Sequence, residues 1–237
     1  MLNKNLNIKE LSAKFNQNRI IRIDNFLEDS YADTLHHFYT TEMPRDWWYL
    51  STKPNRFGHG GDLDVARYVD DAQTRSEIAY KLAVANEYFN DGKFSYSFKR
   101  TIQDHVPECQ CKECELREFT NSSECVKFIK QVTGIDIASA GTLFSSLYEY
   151  GDFLSIHTDG PNGKVGFVYN LCKDWKADWG GLLNTLSKDS KKVMNTYIPG
   201  YNTLTMFDIE SDEGLPHFVS HVVHKKAQRF SFTGWFI

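Results

Sequence analysis

Phe153-Leu154-Ser155-Ile156-His157-Thr158-Asp159-Gly160 is the stretch from which the fold is read. As a strand, it alternates its side chains between two faces. Phe153, Ser155, His157 and Asp159 then share one face, and Leu154, Ile156 and Thr158 share the other, with Thr158 turned into the sheet packing. An imidazole and a carboxylate two residues apart on one face can both reach a single divalent ion. They make two corners of a 2-His-1-carboxylate triad, the set suited to non-haem Fe(II) with open coordination positions. Two polar residues at a strand end are the plain alternative, so the third corner has to be found elsewhere in the chain.

The chain around this stretch reads as a succession of strands. From residue 138 onward, short apolar-alternating runs occupy 142–150, 154–158, 165–171, 181–186, 203–207, 218–223 and 229–236. Turn chemistry separates them at Pro161-Asn162-Gly163, Gly180-Gly181 and Pro199-Gly200. Many short strands at close spacing indicate a β-sandwich or barrel. Before them come a helical spacing over 1–18, a strand over 19–27, a helix from Asp29 or Ser30 to about Thr41, a strand over 47–50, a helix over 72–90, a strand over 94–100 and a helix over 122–132 ending near Gly134. Residues 102–121 read as a polar, cysteine-bearing segment. Helices before and strands after indicate an α+β fold with the helices packed on one sheet. No internal repeat, low-complexity tract or linker interrupts the 237 residues, which implies one domain, with support over 1–137 and a β core over about 138–237.

The last strand supplies a second clue. Arg229, Ser231, Thr233 and Trp235 share one face, while Phe230, Phe232 and Phe236 share the other. An arginine on an inward face needs an anionic partner, because an unpaired buried charge is costly. A ligand carboxylate gripped by the guanidinium fork is one candidate, and an internal ion pair is the other. Just upstream, His217 and His221 fall on one strand face, so periodicity does not choose between them as the third ligand. A strand-end position favours His217, because strand ends and loops carry sites. His224 belongs to a polar turn.

In order, these segments resemble the 2-oxoglutarate- and Fe(II)-dependent dioxygenases, and within them the prolyl 4-hydroxylase-like branch. His157 through Gly163 resembles that branch's H-x-D-x-P-N-G, and Tyr169 through Trp175 its Y-Y-L-N-K-D-W. Gly180-Gly181-Leu182-Leu183 resembles GG-x-L, Pro216-His217-Phe218-Val219 with Val222 resembles P-H-x-V-x-x-V, and Arg229 through Phe236 resembles R-x-S-x-x-x-W-F. The match covers roughly residues 142–237.

The resemblance implies a double-stranded β-helix (jelly-roll) with His157, Asp159 and His217 as Fe(II) ligands. It implies 2-oxoglutarate and O2 as cosubstrates, ascorbate as reductant, and Arg229 paired with the distal carboxylate of 2-oxoglutarate. Ser231 would add a hydrogen bond, Tyr148 would line the cosubstrate pocket, and Trp235 would wall the substrate side. Where some prolyl hydroxylases place a second tyrosine on the cosubstrate, this chain has Asn170. The implied reaction is hydroxylation of a prolyl residue in a peptide or protein, giving succinate and CO2. A free amino acid or other small molecule is the alternative substrate, and a non-catalytic jelly-roll binding protein the alternative from another class.

Composition bounds the rest. A formal net charge of -4 gives no broad basic surface, so no nucleic-acid partner is expected. No apolar h-region or membrane-length run is seen, so a cytoplasmic protein with reduced thiols is expected. His105, Cys109, Cys111, Cys114 and Cys125 offer five ligands, four of which suit a structural Zn2+, with free thiols on a polar loop as the alternative. Phe57-Gly58-His59-Gly60-Gly61-Asp62 is a candidate lid or a surface loop, and Trp47 and Trp48 are candidates for the cavity mouth or the core. Oligomeric state is not legible in the sequence.

Overall fold

Eight strands of the second half pair in nested order. They are β5 (Ala140–Tyr148), β6 (Phe153–His157), β7 (Val165–Leu171), β8 (Leu183–Leu186), β9 (Val193–Tyr197), β10 (Tyr201–Asp208), β11 (His217–Val219) and β12 (Arg229–Phe236). The first pairs with the last, the second with the next to last, and so inward to β8 with β9, all antiparallel. That nesting is the jelly-roll expected from the sequence. It yields two facing layers, β10-β7-β12-β5 and β6-β11-β8-β9.

The computed structural model describes residues 1–54, 66–67, 71–101, 108–210 and 214–237. The candidate lid at Phe57–Asp62 and His105 lie outside the described residues.

The first half extends and braces these layers. Strand β1 (Ile20–Asp24) adds to the edge at β10. Strand β4 (Tyr96–Arg100) pairs with both β5 and β6, which joins the two layers on one side. Strand β2 (Tyr49–Lys53) lies against β4 and the two-residue β3 (Ala66–Arg67). Helices α1 (Ile8–Asn18), α2 (Asp29–His37), α4 (Lys112–Asn121) and α5 (Ser123–Thr133) cover the outer face of the larger layer.

The alternation of β12 explains that arrangement. Its Phe230, Phe232 and Phe236 are buried with Phe15, Leu35, Phe119 and Phe128 of the helices. Each such ring contributes about 1.5–3 kcal/mol when it leaves water. Its other face, from Arg229 to Trp235, turns inward to the cavity between the layers.

The helices start and stop as their local chemistry requires. In α5, Cys125, Phe128, Ile129 and Val132 make one apolar stripe, and the Ser122 hydroxyl accepts from the Cys125 N–H at 3.2 Å. Gly134 ends it in the left-handed conformation, as expected. Helix α3 (Ala72–Asn90) is capped by Asp71, which accepts from the Thr74 N–H at 2.8 Å. Among the described residues, no helix is long and apolar enough to cross a membrane.

Three elements differ from the sequence-based expectations. The strand expected over 47–50 begins at Tyr49, because Trp47 closes a short helical turn, and Trp48 belongs to the core rather than to the cavity mouth. Helix α4 lies in the segment read as merely polar. Its Glu113 is buried, yet it accepts from Arg117 at 2.7 Å and from Thr101 at 2.6 Å, so its charge is compensated. Strand β9 is an edge strand with four exposed residues of five, so it lacks the apolar alternation that marks a strand.

The turn from β5 to β6 is held by a buried acid. Asp152 is 0% exposed and accepts from Lys99 Nζ at 2.7 Å, Ser97 Oγ at 3.0 Å and the Glu149 N–H at 2.8 Å. Lys99 is itself buried and also meets Glu149 at 3.0 Å. Removing Asp152 leaves buried Lys99 with Glu149 alone and takes the acceptor from Ser97 Oγ and the Glu149 N–H, so Asp152→Ala is expected to lower stability by about 3 kcal/mol in urea unfolding. The double variant Asp152→Ala/Lys99→Met should recover most of the loss. A single variant as stable as the parent would mean that this cluster does not hold the turn.

Candidate functional site

The cavity between the layers is built around a register shift. Val219 pairs with Leu154 and His217 pairs with His157, so β6 carries one residue more than β11 between those pairs. Such a bulge turns the strand and re-aims its side chains. Before it, Leu154 faces the cavity with Tyr96, while Phe153 faces outward and stacks on His221 at 4.1 Å. After it, His157 faces the cavity. Phe153 and His157 therefore do not share a face, which corrects the simple alternation. His221 is on the outer side, where its Nε2 meets Asn86 Oδ1 at 3.2 Å. Thr158 is exposed at the cavity rim rather than turned into the sheet packing, because β6 ends at His157.

Asp159 follows where the chain turns into a short helical segment. Its Oδ1 lies 3.5 Å from His157 Nε2 and 3.9 Å from His217 Nε2. The two imidazole rings are 4.2 Å apart. His157 Nδ1 bonds the Ser155 carbonyl at 2.9 Å and His217 Nδ1 bonds the Leu215 carbonyl at 2.8 Å. A carbonyl only accepts, so both Nδ1 atoms carry hydrogen and both Nε2 lone pairs face the carboxylate. Three acceptors converging on one point, with the rings held from behind by backbone carbonyls, fit a divalent cation. Their ligand atoms all lie within 4.8 Å of one another.

Neighbours shape this corner. Burial pushes the Asp159 carboxyl up, but His157 and His217 in their protonated forms, with a hydrogen bond from Trp235, outweigh it and hold it below the usual carboxylate range. Gly166 sits opposite Trp235 in the sheet, and a Cβ there would come within 2.6 Å of the Phe207 ring and 3.1 Å of Asp159 Oδ2. Phe207 in turn packs on the His217 ring at 5.0 Å. A glycine inside an otherwise apolar strand was the signal in the sequence that marked this close approach.

Arg229 belongs to the same cavity, of about 530 Å³. It is 2% exposed, its Cζ lies 4.9 Å from the Tyr148 ring centre, and its Nη2 donates to Asn170 Oδ1 at 3.4 Å. Its Nε is buried without a partner, and no carboxylate pairs with it among the described residues. The internal ion pair is thus not what compensates it. Ser231 Oγ and Ser146 Oγ, 2.8 Å apart, line the cavity beside it. Tyr148 stacks on Phe98 at 5.0 Å and also lines the cavity, as does Trp235. Tyr96, Phe98 and Arg100 of β4 form a wall that the alternation of 94–100 exposed but did not assign to a cavity.

Residues 143–237 match the family model of the 2OG-Fe(II) oxygenase superfamily. Over these residues the chain is similar to 2OG-Fe(II) oxygenase domains. Mouse prolyl 3-hydroxylase OGFOD1 is 30% identical over 114 residues, 46% of this chain and 21% of that protein. The chain thus spans about a fifth of that relative's length. A Pseudomonas putida prolyl-4-hydroxylase superposes with a TM-score of 0.57 at 14% identity, covering 97% of each chain. A Trichoplax adhaerens prolyl hydroxylase in complex with a hypoxia inducible factor peptide gives 0.59 at 20% identity, covering 97% of this chain and 88% of that one. These likenesses show the double-stranded β-helix fold.

The superfamily that the model describes uses Fe(II), 2-oxoglutarate and O2, and His157, Asp159 and His217 are a donor set that fits such a metal. Asn170 pairs with Ser231 on the inward face of the sheet, where it accepts from one arm of Arg229. One expectation needs correction. Cys125 is no partner of the other cysteines. It is buried in the core beside Phe26, Leu116 and Ile129, because it faces the apolar side of α5. Cys109, Cys111 and Cys114 do cluster, within 4.8 Å of one another.

Burial, with His157 beside it, pushes the His217 pKa down to about 4. Unfolded, the same imidazole takes its proton near 6.5. The metal-free fold therefore has the full contribution of neutral His217 above that value. It loses about 3 kcal/mol as pH falls through the folded value of about 4. Urea unfolding of metal-free protein should show this decline from pH 6.5 downward, and His217→Gln should flatten it. Parallel pH profiles for the two proteins would contradict the assignment.

Proposed function

We propose that the chain is an Fe(II)- and 2-oxoglutarate-dependent dioxygenase that hydroxylates a prolyl residue in a peptide or protein. The observation that carries this reading is the buried Arg229, without a carboxylate partner among the described residues, in the cavity that also holds His157, Asp159 and His217. A cation placed there needs an anion from outside the chain, and a dicarboxylate that also binds a metal meets both needs.

In this reading His157, Asp159 and His217 would hold the iron, leaving coordination positions for the cosubstrates. The distal carboxylate of 2-oxoglutarate pairs with Arg229. Asn170 and Tyr148 fix the guanidinium, so the fork is oriented before the anion arrives. Ser231 and Ser146 supply hydroxyls on the same wall. The bound iron supplies the oxidation: O2 and 2-oxoglutarate yield succinate and CO2, and one oxygen atom enters a C–H bond of the substrate. Ascorbate acts as the reductant that returns the iron to Fe(II).

The prolyl substrate is supported by the relatives' activity as named and by the character of the mouth. Phe94 and Ile156 are exposed at the rim, and Tyr96 and Phe98 follow inside. A pyrrolidine ring offers apolar surface to such a wall and asks for no hydrogen bond from it.

The test is turnover with Fe(II), 2-oxoglutarate and O2. A prolyl peptide should gain the mass of one oxygen atom with one succinate formed, and free proline should not. Loss of one charge-assisted pair costs about 1.5–3 kcal/mol, so Arg229→Ala should raise KM for 2-oxoglutarate by about 10- to 100-fold. Arg229→Lys should recover part of that. An unchanged KM in Arg229→Ala would remove Arg229 from the cosubstrate site, and conversion of free proline alone would overturn the peptide substrate.

A further inference from the structure

Outside the oxygenase cavity, one cluster of reactive side chains has no part in that chemistry. Cys109, Cys111 and Cys114 stand at the start of α4 outside any disulfide, and each is half-buried. Cys111 is the N-cap of the helix, and its Sγ accepts from the Cys114 N–H at 3.5 Å. The Cys111 and Cys114 sulfurs are 3.6 Å apart, and Cys109 completes a triangle within 4.8 Å.

The spacing suits a metal. A tetrahedral Zn2+ with Zn–S bonds of about 2.3 Å sets neighbouring sulfurs about 3.8 Å apart. Burial pushes the Cys111 and Cys114 thiols up, and the Cys114 N–H onto Cys111 Sγ offsets part of this for Cys111, so it is the bound ion that would displace their protons. Soft thiolates select zinc over Fe(II), whereas the imidazole and carboxylate set of the cavity does not. The two sites therefore differ in how strongly they discriminate between Zn2+ and Fe(II).

We propose that Cys109, Cys111 and Cys114 form a second metal site, binding one Zn2+ as three thiolates with a water or other small ligand in the fourth position. Binding displaces the thiol protons and transfers no electrons. Its role is structural. Glu113, one residue inside α4, accepts from Thr101 at 2.6 Å, and Arg117 donates to the Leu143 carbonyl at 2.5 Å. Thr101 directly follows β4 and Leu143 lies in β5, and both strands wall the cavity. Zinc at the start of α4 fixes the helix that braces those strands.

The test uses the full, unmutated chain loaded with Zn2+ or Co2+ alone. Co2+ should give an intense thiolate-to-metal charge-transfer absorption in the near ultraviolet, which a histidine and carboxylate site does not produce. Zn2+ should abolish that absorption and protect Cys109, Cys111 and Cys114 from alkylation, as read by peptide mass spectrometry. Cys111→Ser and Cys114→Ser should each lose the absorption, while Cys125→Ala keeps it. Alkylation of all three cysteines unaffected by Zn2+, with no charge-transfer absorption, would overturn the site. So would a Cys111–Cys114 disulfide in metal-loaded protein. The alkylation footprint needs no variant, so misfolding of a cysteine substitution leaves the question decidable. It is also independent of any oxygenase turnover.

Discussion

One extra residue in β6 sets the chemistry of this chain. Antiparallel pairing brings β6 and β11 together from segments some sixty residues apart, and strict alternation would have sent His157 to the outer face with Phe153. The bulge between Leu154 and His157 lets an apolar residue line the cavity and then presents an imidazole to it, opposite His217. The following turn adds Asp159. Backbone carbonyls at Ser155 and Leu215 fix both rings, so the acceptor triangle is formed by the fold itself and not by the ion.

That arrangement has a thermodynamic cost which the remainder of the fold offsets. Three acceptors face one another, and Arg229 is buried beside an amide and an aromatic face with no carboxylate partner among the described residues. Neither favours folding of the empty protein. The opposite face of the same strand carries Phe230, Phe232 and Phe236 into a core shared with four helices. Strand β12 thus joins the main source of stability to the most costly side chain, and a ligand that neutralises Arg229 should also stabilise the fold.

Much of this was legible from alternation and turn chemistry. Helix α3 and strands β7 and β12 have the bounds their sequence implies, and the two faces of β12 divide as read. The resemblance, rather than periodicity, singled out His217 over His221. What escaped depends on partners that a linear reading does not contain. A bulge is a property of two strands, so neither the outward Phe153 nor the exposed Thr158 follows from β6 alone. Helix α4 was hidden because its buried Glu113 is compensated by Arg117 and Thr101, and polar residues with hidden partners read as loop. Cys125 joined the cysteine group by proximity in sequence, whereas the stripe of α5 carries it into the core.

The central claim is that one cavity holds a metal at His157, Asp159 and His217 and a dicarboxylate at Arg229 together. Anaerobic titration of the Fe(II)-loaded protein with 2-oxoglutarate, followed by visible absorption, tests it most directly. A metal-to-ligand charge-transfer band that saturates at one equivalent, and that succinate does not produce, is the result predicted. Binding of 2-oxoglutarate with no such band, or a band unchanged in Asp159→Ala, would contradict it.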